Sequence, residues 1–78
     1  MSTARVLEAV MKILDIAAAY IRSSQQMIAE NVKDEWRDEA LQAQGKLAFV
    51  IVQINEVQEL IKKMMKEAKK DERARKAT

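Results

Sequence analysis

Two helix-spaced carboxylate pairs, Asp34 with Asp38 and Glu35 with Glu39, are the arrangement in this chain closest to a reactive site. Paired acids of this kind serve general acid–base catalysis when their environments hold one protonated and the other ionised. Here all four fall at an expected helix start, where the helix dipole favours acidic residues in any case. A carboxylate-bridged metal centre between helices also recruits Glu-x-x-His motifs, and the chain contains no histidine. With no cysteine either, neither a thiolate nucleophile nor the common transition-metal ligands are present. The remaining candidates are lysines, serines and Tyr20, with no base of near-neutral pKa beside them, and no glycine-rich loop is available to cradle a phosphate. The expectation is a protein without catalysis, cofactor or metal.

What the chain does encode is helix association. Seventy-eight residues allow one small domain with marginal burial. Chains of this size are completed by disulfides, metals, regular helix packing or oligomerisation, and only the last two are open here. There is no proline and a single glycine, Gly45, so the main helix breakers are all but absent. Leu7, Leu14, Ile21 and Ile28 recur every seven residues, with Val10, Ala17, Ser24 and Asn31 three positions on. A second ladder reads Ala40, Leu47, Ile54, Ile61 and Ala68, with Ala43, Val50, Val57 and Met64 as its companions. Side chains three and four apart share a helix face, so each ladder is the seam of an amphipathic helix.

Ile28 and Ala40 hold equivalent positions but stand twelve residues apart, which is not a whole number of heptads. A turn near residues 31–34 accounts for the phase change. Asn31 is the expected left-handed helix end, and Asp34 the expected cap of the next helix. Gly45 is the rival turn site, although it does not interrupt the second ladder. The expected layout is a helical hairpin over residues 1–70, with a helix over about 3–30, a turn over 31–34 and a helix over 35–70. Each arm is about 45 Å long at 1.5 Å per residue. Residues 71–78 form a basic, fraying tail. Residues 47–52 have strand propensity, but helical spacing continues on both sides and no partner strand exists.

The expected intrachain seam comprises Leu7, Val10, Leu14, Ala17, Ile21, Ile28, Trp36, Leu47, Val50, Ile54, Val57, Ile61 and Met64, with Trp36 closing one end of the core. Apolar residues spill beyond that seam. Val6, Ile13, Tyr20 and Met27 precede the first ladder, Ile16 stands away from it, and Phe49, Ile51, Val52 and Leu60 surround the second. A helix that is apolar nearly all round is buried all round, and one hairpin covers only one side. These nine residues are therefore the expected interface with a second chain. Ser24, Gln25 and Asn31 are polar at or beside seam positions, where a buried amide or hydroxyl sets register at a cost in stability.

The fold class read from the sequence is all-α: an antiparallel hairpin of two long helices associating into a multi-chain bundle, most simply a dimeric four-helix bundle. The function read with it is non-enzymatic self-association in a structural or scaffolding role. Three alternatives stand beside it: a subunit of a helical filament or secretion-type tube, a small adaptor or chaperone holding an amphipathic partner helix, and a designed bundle with no biological role. The partner expected first is the chain itself. Residues 62–78 carry eight basic and three acidic residues, a net +5, against −3 for the remainder. That tail raises nucleic acid or anionic membrane as partners, but it has no aromatic side chain for base stacking and its acids dilute the field. No signal peptide or membrane-spanning run is recognisable, so a cytoplasmic or otherwise soluble location is expected, with secretion by a signal-independent route left open.

Overall fold

The Ser2 hydroxyl accepts from the backbone N–H of Arg5 at 3.2 Å, satisfying one of the donors that every helix start leaves orphaned. From that cap the first helix, α1, runs Thr3–Asn31, and a second, α2, runs Arg37–Ala77. The computed structural model describes residues 2–77, with side chains as far as Arg75; Lys76 side-chain placement and Thr78 lie outside the described residues. Among the described residues there is no strand.

The connection differs in mechanism from the sequence expectation. No residue other than glycine has a positive φ among those described, so Asn31 does not end α1 in the left-handed conformation. Two extended residues make the bend instead, Val32 (φ −83°, ψ 131°) and Lys33 (φ −67°, ψ 152°). A single 3₁₀ turn, Asp34–Trp36, then leads into α2, and the Trp36 N–H donates to the Lys33 carbonyl at 2.9 Å. Lys33 holds the cap position with no side-chain bond, so Asp34 is not the cap. Asp34, Glu35, Asp38 and Glu39 all fall in the first turns after the bend.

The arms are unequal, with 29 residues in α1 and 41 in α2, which continues through the basic segment to Ala77. The two helices run antiparallel. Gln25 Nε2 donates to the Gln44 carbonyl at 3.0 Å, Gln58 Nε2 to Asp15 Oδ1 at 2.8 Å, and Lys69 Nζ lies 3.5 Å from Glu8 Oε1. Position falls along α1 as it rises along α2. The result is a rod of 67 × 16 × 12 Å, two helices wide and one helix thick. Among the described residues no element forms a third layer, and only Ala4, Ala18 and Ile61 are buried.

Gly45, the rival turn site, sits inside α2, and a Cβ placed there would meet nothing within 4 Å. Gly45→Ala therefore loses no contact and reduces the freedom of the unfolded backbone. The expected gain is about 1 kcal/mol, or about 4–8 °C in Tm for a domain of this size. A circular-dichroism melt reads it directly, and an unchanged or lower Tm would contradict open space at that position.

Candidate self-association face

The seam between the helices is built from a different companion row than the apolar pattern implied. Leu7, Leu14, Ile21 and Ile28 are half-buried, and the residues that complete their row are Ala4, Met11, Ala18 and Gln25, four positions on rather than three. On α2 the row of Ala40, Leu47, Ile54, Ile61 and Ala68 is completed by Gln44, Ile51, Gln58, Met65 and Glu72. Every one of these is buried or half-buried. Ala4, Ala18, Ala40 and Ala68 contribute the smallest side chains of these rows, and the amides of Gln25 and Gln58 bond across the helix pair.

Four residues expected in the intrachain seam lie elsewhere. Val50, Val57 and Met64 are exposed on the flank of α2, because the row four positions on has taken the place against α1. Trp36 is 57% exposed, since the 3₁₀ turn carries it outside the end of the helix pair. Val10 and Ala17 are half-buried beside the seam rather than in its central rows. Of the nine residues assigned to an intermolecular surface, Ile51 is instead half-buried in the seam; Val6, Ile13, Ile16, Tyr20, Met27, Phe49, Val52 and Leu60 are exposed.

Among the three polar candidates, only Gln25 reaches the other helix. Ser24 Oγ donates to the Tyr20 carbonyl at 3.0 Å, and Asn31 Nδ2 to the Met27 carbonyl at 2.9 Å. Both bonds go back one turn within α1, the local satisfaction that short polar side chains find in a helix. Sequence reasoning missed the cross-helix roles of Gln44 and Gln58. Their seven-residue spacing from Ile51 was the available signal, and their polarity concealed it.

The cross-helix contacts also decide which flank of each helix faces which way. Glu8 and Asp15 each follow a seam leucine, and they reach Lys69, which follows Ala68, and the seam residue Gln58. The residues just after each ladder position therefore share one broad face of the rod. Glu8, Lys12, Asp15, Arg22, Glu59, Lys62 and Lys69 belong to it or border it, and Lys62 Nζ lies 3.2 Å from Glu59 Oε1. Exposed pairs of this kind stabilise by about 0–1 kcal/mol each.

The opposite broad face then collects the residues that precede the ladders. On α1 these are Val6, Val10, Ile13, Ala17, Tyr20 and Met27, themselves a three–four repeat; on α2 they are Ala43, Val50, Val57, Leu60 and Met64. Eight of the nine large members are between 38% and 71% exposed, and Val10 is half-buried. They form a second apolar row on each helix, beside the first, and among the described residues its large members stand mostly open to solvent. Leu41, at the edge of the polar face, makes with Phe49 and Val52 a separate, shorter exposed patch around Gly45 on the outer side of α2.

Among the described residues no three Asp or Glu side chains gather where a metal ion would be held. An open cleft of about 770 Å³ at the free helix ends is lined by Ser2, Thr3, Arg5, Ala68, Asp71, Glu72 and Arg75, and a smaller one of about 250 Å³ adjoins the bend. Neither brings a base to a nucleophile. No described helix is long and apolar enough to cross a membrane. Compared with protein-family models, curated proteins and solved structures, the chain matches none.

Proposed function

We propose that this protein is a non-enzymatic structural subunit that works by self-association, burying its apolar flank against another copy of itself. The observation that carries this reading is the segregation of the surface. Eight large apolar side chains share one broad face, while the cross-helix polar pairs lie toward the other. Monomeric proteins rarely expose a contiguous apolar patch of this extent, and a heptad-spaced patch on helices is matched by another helix. Each Å² removed from water contributes about 25 cal/mol. A two-helix rod with three buried residues has little other apolar burial to draw on.

The filament reading draws on the separate patch of Leu41, Phe49 and Val52, which would give each subunit a second contact and so allow open-ended growth. Mass in solution across concentration distinguishes the two. A closed assembly gives a plateau mass, expected here at twice the 8.9 kDa chain, and a filament gives mass that keeps rising. A folded, cooperatively melting monomer at high concentration would end both readings and favour an adaptor whose flank takes a foreign helix.

A further inference from the structure

We propose that the outer side of α2 between Lys62 and Arg73 is a docking surface for the phosphate backbone of double-stranded nucleic acid. The observation that carries this is where the helix puts its acids. Along the chain, residues 62–73 mix six basic with three acidic residues, and in that linear order the acids dilute the charge. The helix sorts them. At 3.6 residues per turn, Lys62, Lys63, Lys66, Lys69, Lys70 and Arg73 fall within about 120° of arc centred on Lys66. Glu67, Asp71 and Glu72 stand about 100° or more from that centre. Glu72 is half-buried in the seam row, and Glu67 and Asp71 continue the rows of the apolar flank. All six cations are exposed.

The surroundings leave the arc positive. Lys62 Nζ lies 3.2 Å from Glu59 Oε1 and Lys69 Nζ 3.5 Å from Glu8 Oε1, both exposed pairs that water and salt screen readily. On the neighbouring stretch of α1, Arg5 and Lys12 offset Glu8 and Asp15. Counting these and Glu59, this half of the rod's polar side carries eight basic and three acidic residues, a net +5. The acids of the bend do not cancel it. Asp38 lies about 36 Å along α2 from Lys62, several times the screening length of about 8–10 Å.

Length and chemistry select the occupant. The arc is about 18 Å long, and over that distance one strand of a duplex presents about five phosphates, close to the six cations. Five of the six are lysines, which meet phosphate as point charges, and no aromatic side chain stands among them to stack on an unpaired base. A duplex crossing the free end of the rod meets the arc alone. A flat anionic membrane lying along the 67 Å rod also meets Glu56 and the exposed acids of the bend. The arc belongs to neither the seam nor the apolar flank, so it stays open when the flank is covered, and its occupancy does not depend on self-association.

The test is fluorescence anisotropy of the full chain with a labelled DNA duplex of mixed sequence, about 20 base pairs long, at several salt concentrations. A Kd in the range of about 10⁻⁴ to 10⁻⁶ M is expected, with log K falling against log salt at a slope of about −4 to −5. Lys66→Gln, Lys70→Gln and Arg73→Gln combined should weaken binding about tenfold or more and make the slope shallower by about 2 to 3. Arg22→Gln, Arg37→Gln and Lys46→Gln combined remove the same charge elsewhere, and should weaken it no more than about threefold at the higher salt concentrations. Circular dichroism checks that both variants stay helical. Equal losses for the two variants, or no retention of the duplex at low salt, would overturn the docking surface. Sedimentation with phosphatidylserine-containing vesicles, in the absence of duplex binding, would overturn it in favour of a membrane.

Discussion

Ile13→Glu is expected to convert the associated protein into monomers. Ile13 is 63% exposed on the isolated rod and lies off the seam, so the substitution removes no contact between α1 and α2. Its effect falls on association, and it falls twice per dimer. Losing two isoleucine side chains from an apolar interface costs about 3 kcal/mol or more, which weakens the dimer by at least about a hundredfold. Leaving two carboxylates without partners in that interface adds to the loss. Ala19→Glu is the matching control, since it places the same charge on the exposed polar side of the same helix. Size-exclusion chromatography with light scattering at micromolar concentration should show Ile13→Glu at the monomer mass and Ala19→Glu unchanged. Equal masses for the two variants would rule out this flank as the contact.

Ile61→Ala is expected to have the largest effect on the helix pair itself. Ile61 is 4% exposed, the one large side chain among the three residues buried in the described part of the chain. Truncating a buried isoleucine costs about 2–5 kcal/mol, because transfer energy is lost and a cavity remains. Total stability for a chain of this length is about 4–12 kcal/mol, so one residue removes a large share of it. At about 4–8 °C per kcal/mol, Tm should fall by about 10 °C or more. Ile16→Ala removes the same atoms from an exposed position off both the seam and the flank, and should stay within about 0.5 kcal/mol. Thermal melts of the pair test the seam assignment, and comparable losses for both would place Ile16 in an interface of its own.

These two residues illustrate how differently the sequence speaks about the core and about the surface. Ile61 sits on the ladder that the seven-residue spacing picks out directly, and so do Leu7, Leu14, Ile21, Leu47 and Ile54. Periodicity identifies them because one row must lie at the centre of any helix contact. The companion row was not legible in the same way. Val50, Val57 and Met64 are more apolar than Gln44, Gln58 and Met65, so hydrophobicity alone assigns them to the seam, whereas they stand exposed beside it. Each helix carries two apolar stripes roughly a hundred degrees apart, and a single helix read in isolation does not say which one its sister takes. The bend shows the same limit: its position near residues 31–34 followed from the phase shift, while its construction from extended Val32 and Lys33 did not.

By itself the sequence determined that the chain is helical, that it turns back once, and that it carries more apolar surface than two helices can cover. Those properties are local: the lack of breakers, a twelve-residue phase shift and the tally of apolar positions per turn. Only the tertiary structure decided which stripe closes inward. Cross-helix bonds from Gln25 and Gln58 and the Glu8–Lys69 pair mark which rotation each helix takes about its axis, and that rotation leaves the remaining apolar row on a single flank. Rotation about a helix axis is a property of the pair, because it depends on which side chains two helices bring within bonding distance at once.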